Sequence, residues 1–438
     1  MMWELISRRL ICVAYLTIIV SLTPACLVVS FVMWLFEIGK YPAHKLPLKS
    51  RRKILVAGDT ATKAIHIIRI LGKAGHTIVV ADWRGCWSVL RWSKYVSKVV
   101  SVPSNQTDYI ASVVRVAVEE KVDYFIPVIK KDYAMADAQI GEALSRRGIK
   151  CLVDDPQQIE KLDEKIEFMR MCKKFGLSVP PFIENEEDLF HLAQDGFFRE
   201  KFFFLKPSAC SSLFRNFFER IPDNVDQLRV FMERFPGETF FAQQFIKGVE
   251  WSANLISKDG KVLQLNISSS SPIQVHFDVI SNHHQITEWV TKFCSKSKLT
   301  GAVCFDFLED ENEEIYCLEC NPRFHSSLVT YNYSPGYERC LLSLFEDVCI
   351  PFSLPLQPAP SSCSYWLYQE LFRVLTLKRT LKDFLSMLMN GREALWDGCD
   401  PNPFFVLHHV QMVMFLLKHI VTGEYWECVN FCLGRVMY

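Results

Sequence analysis

Apolar and polar positions alternate along the chain in three successive regimes. Leu10 to Phe36 carries no charged residue, a stretch long enough to cross ~30 Å of hydrocarbon as a tilted helix. From Lys53 the pattern becomes short and periodic. An apolar run, Ile54 to Ala57, meets Gly58, a helical pattern follows through Leu71, and after Gly75 a second apolar run covers Thr77 to Ala81. This is a β-α-β unit, which implies a parallel sheet. The runs VSKVVSVP, VDYFIPV and IKCLVDD continue it to about Asp155. Beyond that, Pro156 to Phe175 reads as helices. Lys201–Lys206 and Thr239–Phe245 read as strands, followed by IKGVEWSANLIS and KVLQLNISSSS. Gly301–Leu308 and Ile315–Asn321 are two more strands, joined by the acidic turn EDENEE. These predict an antiparallel sheet with helices. Pro351 to Pro360 is a proline-rich linker, and the rest reads as mainly helical.

The predicted architecture is therefore α/β and α+β multidomain. We expect a membrane anchor over 1–36 and a basic linker over 37–52. A parallel α/β domain over 53–155 and an α+β domain over 156–350 follow. A linker over 351–361 leads to a helical C-terminal region over 362–438. Arg8 and Arg9 precede the apolar segment, and Lys40, Lys45, Lys49, Arg51, Arg52 and Lys53 follow it. The larger basic cluster places the bulk of the chain on the cytosolic side. Pro24 would kink the span or turn it into a re-entrant hairpin. Val406–Val421 is apolar but carries His408, His409, Gln411, Lys418 and His419, which suits a packed helix better than a second span.

Composition adds limits. Lys plus Arg equals Asp plus Glu at 49 each, so a nucleic-acid partner is not expected. The 16 cysteines are scattered and mostly apolar in context, as reduced buried thiols are. Cys317 and Cys320 form a C-x-x-C in a strand, where the two thiols are expected on opposite faces. Gly58-Asp-Thr-Ala-Thr-Lys63 lacks the spacing of either glycine-rich phosphate-binding motif, although the helix start there suits an anionic group.

The strongest chemical signal is acidic. Glu319 and Asn321 are two apart on a strand and share a face. A hairpin closed by EDENEE brings Asp306 beside them. Two carboxylates and an amide oxygen suit Mg²⁺ bridging to phosphates. Arg323, two residues on, suits a phosphate or carboxylate. Lys165 and Lys206 are candidate phosphate ligands. Gln243, Gln244, Phe245 and Ile246 form a candidate hinge whose backbone reads an adenine edge, with Glu250 placed for ribose hydroxyls.

In order, these motifs are K-x-x-F, G-L-x-V-P, a strand ending in LK, Q-Q-F-I-x-G-x-E, D, and L-E-x-N-P-R. Together they resemble the ATP-grasp superfamily of ligases over about residues 53–345, with 53–155 resembling its pre-ATP-grasp domain. The resemblance implies a two-subdomain ATP-grasp fold using ATP and Mg²⁺. Lys165 and Lys206 would then contact phosphates, Gln243, Gln244 and Ile246 line the adenine, and Glu250 hold the ribose. Asp306, Glu319 and Asn321 would hold the metal. A closer resemblance is to the members that join glycine to 4-deoxygadusol. It rests on the apolar N-terminus, I-L-V-x-G-x-x-x-T-K-A, L-K-x-x-x-x-x-S, SSSPIQVHFD, ECNPRFHSS, DPNPFFVLHHVQ and NFCLGR. It implies phosphorylation of an enol oxygen and its displacement by an amino acid. Arg323, Lys206 and His325 would act at the reacting groups, with Gln274 beside them. The loop after Lys206 has no glycine, so Ser208, Ser211, Ser212 and Arg215 would supply the flap's donors. Other readings are a carboxylate–amine ligase of different specificity, a catalytically inactive membrane-tethered nucleotide-binding scaffold, and a nicotinamide-dependent reductase. The reductase would require a G-x-G-x-x-G that is absent.

Overall fold

The computed structural model describes residues 2–37, 51–58, 61–128, 133–208, 219–234, 239–270, 276–278, 283–331, 334, 336–345, 353–358, 363–424, 428–430, 432 and 435–437. Strands β1 (Lys53–Gly58), β2 (Thr77–Asp82), β3 (Val96–Ser101), β4 (Tyr124–Val128) and β5 (Lys150–Cys151) form one sheet in the order β3-β2-β1-β4-β5. Every pairing in it is parallel. Period-2 alternation sends Leu55, Ala57, Val79 and Ala81 into a core with Tyr109, Val113 and Ile140. Ile54, Val56, Ile78 and Val80 face the opposite way. Both faces are covered, as a parallel sheet requires.

Two antiparallel sheets follow. Strands β6 (Phe182–Ile183), β7 (Phe203–Pro207) and β8 (Phe240–Gln244) run in the order β6-β8-β7. Strands β9 (Gly248–Lys258), β10 (Lys261–Ser269), β12 (Gly301–Asp310) and β13 (Ile315–Asn321) run in the order β10-β9-β12-β13. A small third sheet joins β11 (His276–Asp278), β14 (Cys363–Tyr365) and β15 (Arg392–Glu393). Helices Pro156–Asp163 and Lys165–Lys174 start at Asp155 and Glu164, whose carboxylates accept from Gln158 and Glu167 backbone N–H groups at 3.0 and 2.6 Å. Phe168, Trp289, Phe293, Phe305 and Phe307 pack together beneath the four-stranded sheet, Trp289 stacked on Phe293 and edge-on to Phe305 and Phe307.

The C-terminal region shares a core with the first sheet. Trp366, Leu395, Trp396, Phe404, Leu407, Met412 and Leu416 bury against Ile54, Val56 and Ile78. Arg69, on the helix Ala61–Lys73, reaches Asp400 at 2.9 Å, with Ser93 Oγ also donating to that carboxylate at 2.8 Å. The proline-rich segment is not a free tether where it is described. Leu356 N–H donates to Leu263 O and Leu356 O accepts from Leu265 N–H, at 2.9 and 3.0 Å, along the edge of β10. An unpaired strand edge is a ready template for such pairing.

The N-terminal helix runs Met2–Glu37 with Pro24 inside it. It packs on the C-terminal helical stretch: Cys12 and Ile19 are buried, and Thr23 Oγ1 meets His409 Nδ1 at 3.1 Å. Among the described residues, Asn402–Thr422 is long and apolar enough by composition to cross a membrane, yet 39% of its apolar window is buried. Length and composition alone do not separate a span from a packed helix here.

Candidate active site

The acidic centre is built by strand register. Val303, Phe305 and Phe307 turn into the aromatic core, so Asp306 turns the other way. Across from it lie Ser252 on β9 and Glu319 on β13. Ser252 Oγ donates to Asp306 Oδ1 at 2.8 Å. Asn321 Nδ2 donates to Asp306 Oδ2 at 2.9 Å and to Glu319 Oε1 at 3.3 Å. Burial, with the Glu319 charge second, pushes Asp306 up to about 7. Two carboxylates and one amide oxygen within one buried group form a hard-oxygen set, and the strain of holding both carboxylates charged is what a divalent cation relieves. Among the described residues no group of three or more His, Cys, Asp or Glu side chains has metal-site geometry, so any such ion depends on the amide and on further ligands.

One expectation about this hairpin is corrected. The β12–β13 pairing shifts after Asp306, because Phe307 pairs with Cys317 and leaves Leu318 unpaired. The extra residue restores phase between positions three apart. Cys317 and Cys320 therefore bury in the same apolar core rather than on opposite faces. Both are free thiols, held well above the usual thiol range by burial.

The cationic side comes from the other antiparallel sheet. Lys206 leaves β7 and donates to Gln243 Oε1 on β8 at 2.6 Å. Burial, and then the nearby Lys165 ammonium, bring Lys206 down to about 8. Lys165 opens its helix and lies 3.7 Å from Glu319 Oε2. A cavity of about 320 Å³ separates these lysines from the carboxylates, bordered by Lys165, Lys206, Glu250, Asp306, Glu319 and His325. Phe241, Trp251, Ser252, Ser270, Phe277, Phe307 and Leu318 complete its wall. None of these seven was singled out from the sequence. For Ser252 the signal was available, since it is two residues after Glu250 on one strand.

The remaining predicted residues lie off the wall. The Gln243 side chain is committed to Lys206 and, through Nε2, to Met169 Sδ at 3.5 Å. The hinge is shorter than expected: Gln244 and Phe245 N–H groups donate to Pro181 and Phe202 carbonyls at 2.9 and 2.7 Å. Gln244 and Ile246 do not border the cavity. Arg323 follows a tight turn, its N–H donating to Asn321 O at 2.8 Å. It borders a second cavity of about 20 Å³ with Asp137, Asp154 and Thr300, and its buried Nη1 has no partner there. His325 Nδ1 lies 2.9 Å from Ser327 Oγ, and its ring meets Phe277 edge-on. Burial, with Lys63 and Arg323 nearby, brings His325 down to about 3, so the ring is neutral. Lys63, at the end of the Gly58–Lys63 segment, donates to Phe324 O at 2.9 Å. The first sheet thus supplies a cation beside the second antiparallel sheet. Gln274, Ser211, Ser212 and Arg215 lie outside the described residues; Ser208 is buried and its carbonyl accepts from Lys165 N–H at 3.4 Å.

No curated protein sequence matches the chain. Similar solved structures include a biotin carboxylase from Campylobacter jejuni, at 16% identity and TM-score 0.55, covering 69% of this chain and 72% of that one. The N5-carboxyaminoimidazole synthetase of Staphylococcus aureus gives 16% identity and TM-score 0.51, over 68% and 78%. The biotin carboxylase domain of the Hydrogenobacter thermophilus 2-oxoglutarate carboxylase gives 16% and 0.50, over 64% and 65%, so this chain spans just under two thirds of that one. At such identity the likeness is one of fold. Residues 162–327 match the profile of a family described as ATP-grasp domain.

Proposed function

We propose that the 320 Å³ cavity binds Mg·ATP and that the chain is an ADP-forming ligase. The observation that carries this reading is one juxtaposition. Asp306 and Glu319 line the cavity with Lys165 and Lys206, the Lys165–Glu319 contact being 3.7 Å, and Asn321 is hydrogen-bonded to both carboxylates from outside the lining. Mg²⁺, when held by Asp306, Glu319 and Asn321, supplies charge neutralisation for phosphoryl transfer. Lys206 and Lys165 hold phosphate oxygens, and Gln243 fixes the direction of the Lys206 ammonium. Glu250 faces the ribose end. The γ-phosphoryl group passes to an acceptor oxygen, ADP leaves, and an amine then forms the C–N bond as phosphate departs. His325, neutral through burial, orients an acceptor by hydrogen bonding rather than by charge. Arg323, expected to hold the acceptor, borders the separate 20 Å³ cavity instead and acts on the site through its charge, which lowers Asp306.

The narrower reading is transfer of glycine onto 4-deoxygadusol, with an enol oxygen as acceptor. The segments ECNPRFHSS and SSSPIQVHFD support it. The uncharged Leu10–Phe36 stretch and the basic run after it support a membrane-associated enzyme with its catalytic part in the cytosol. The test is ADP release with Mg·ATP, 4-deoxygadusol and a panel of amino acids, with products weighed by mass spectrometry. ADP and an adduct that require both co-substrates support the narrow reading. ADP formed with a carboxylate acceptor instead removes it and keeps the ligase. Absence of ADP with every acceptor class removes the ligase.

A further inference from the structure

The loop that follows Asn321 is clamped from two sides. From the first sheet's side, Lys63 Nζ donates to Phe324 O at 2.9 Å. From β10, the buried Asn266 donates through Nδ2 to Ser327 O at 3.0 Å and to Thr330 Oγ1 at 2.9 Å. Thr330 Oγ1 in turn donates to Ser327 O at 2.7 Å. Ser326, Ser327 and Thr330 are all buried, so little water competes for these bonds.

His325 stands between the two clamps. Its Nδ1 meets two groups of Ser327, the backbone N–H at 3.3 Å and the hydroxyl at 2.9 Å. A backbone N–H can only donate. Nδ1 therefore presents a lone pair, and the Ser327 hydroxyl donates to it as well. A neutral imidazole carries one proton, and the bond made by one ring nitrogen decides which nitrogen holds it. Burial, with Lys63 and Arg323 nearby, keeps this ring neutral. The proton is therefore on Nε2. The ring borders the 320 Å³ cavity and meets Phe277 edge-on, with centroids 5.5 Å apart. With Nδ1 turned to its own loop, the far edge of the ring carries Nε2.

We infer that His325 is held as a fixed Nε2–H donor that recognises an oxygen of the acceptor, enolate or carboxylate, and is not the base that takes a proton from the incoming amine. A ring whose Nδ1 is occupied and whose Nε2 already bears a proton has no lone pair to offer. The nearby Lys63 and Arg323 charges favour the same oxygen-bearing, electron-rich group. The inference deepens the ligase reading and rests on it for the identity of the acceptor; the tautomer itself needs no ligand.

The test labels histidine with ¹⁵N in the full-length chain and reads both ring nitrogens by nuclear magnetic resonance, His325→Gln identifying the signal among the 11 histidines. At neutral pH His325 should show a protonated Nε2 and a bare Nδ1. A proton on Nδ1, a proton on both nitrogens, or an exchanging mixture overturns the inference. The kinetic arm uses Mg·ATP, 4-deoxygadusol and glycine. His325→Phe should raise the acceptor KM at least ~10-fold, as losing one hydrogen bond to a charged group does, and leave the KM for ATP unmoved. His325→Gln, whose amide nitrogen reaches as far as Nε2, should recover most of that loss. His325→Asn, whose amide reaches only as far as Nδ1, should not. Recovery by Asn and not by Gln overturns the assignment, as does a fall in kcat with the acceptor KM unchanged, the mark of a base. Absence of turnover with every acceptor would count against the ligase, and the nitrogen spectrum would still decide the tautomer.

Discussion

Asp306 and Glu319 are register partners on β12 and β13, and the Asn321 amide nitrogen donates to an oxygen of each, at 2.9 and 3.3 Å. The amide bridges the two carboxylates, and the Lys165 ammonium lies 3.7 Å from Glu319 Oε2. Replacing Glu319 by Gln keeps the shape and removes one charge. We expect turnover to fall at least ~100-fold, in line with losing a positioned charge stabiliser, while the melting temperature holds or rises as the repulsion is relieved. Coupled ADP-release kinetics and thermal denaturation measure the two effects. Undiminished turnover would remove Glu319 from the metal set.

Lys206 has a depressed affinity for its proton, about 8, because it is buried and faces Lys165. Below that pH it is a cation; as pH rises through it, the phosphate site loses a charge. The KM for ATP should rise above pH ~8 in the unsubstituted protein, whereas Lys206→Arg should stay flat to higher pH because guanidinium does not deprotonate there. Stability moves in the opposite sense. Between about 8 and the ordinary lysine value of ~10.4 the unfolded chain holds a proton that the folded chain has lost, so unfolding free energy rises with pH in that window. Titrating KM and urea midpoints across pH 7–10 checks both signs.

Gln243 Oε1 is the acceptor for the Lys206 ammonium. Gln243→Leu removes it and leaves a buried charge with less support, at a cost of ~1–3 kcal/mol. The pH at which the KM begins to rise should move down, and the KM itself should increase ~5- to 10-fold. A change in KM with no movement of the pH inflection would mean that Gln243 acts by packing alone.

Arg69 and Asp400 are both buried and 2.9 Å apart. Truncating Arg69 to Leu leaves Asp400 without its main counter-charge, and we expect a loss of ~3–5 kcal/mol. Arg69→Met combined with Asp400→Leu should recover most of it, because an ion pair replaced by apolar groups of similar volume is close to neutral. Chemical denaturation of the single and double variants measures the difference. Similar losses for both would show that the Ser93 and Lys94 bonds to Asp400, rather than the ion pair, hold the C-terminal region in place.

Period-2 alternation made much of the fold legible. It located β1, β2, β12 and β13 and put Glu319 and Asn321 on one face, with Asp306 brought beside them by the hairpin. Local pattern could not reveal contacts that depend on pairing between distant segments. Gln243 read as part of a hinge because nothing in QQFI shows that its side chain meets Lys206 on the neighbouring strand. The one-residue shift at Leu318 reversed the expectation for Cys317 and Cys320, since alternation assumes an unbroken ladder. Arg323 turned toward the first sheet because a tight turn follows Asn321, and the sequence shows a stiff Pro322 without its direction. The Arg69–Asp400 tie joins positions 331 apart in the chain, beyond the reach of any local pattern.

Asp306 and Glu319 face Lys165 and Lys206 across the proposed Mg·ATP site. Isothermal calorimetry with a non-hydrolysable ATP analogue, titrated with and without Mg²⁺, tests it most directly. The unsubstituted chain should bind the analogue with Mg²⁺ at least ~10-fold more tightly than without it, and Asp306→Asn with Glu319→Gln should abolish that difference while Lys206→Met weakens both titrations. Equal affinity with and without Mg²⁺ in the unsubstituted chain, or a Mg²⁺ dependence that survives the double substitution, would contradict the account.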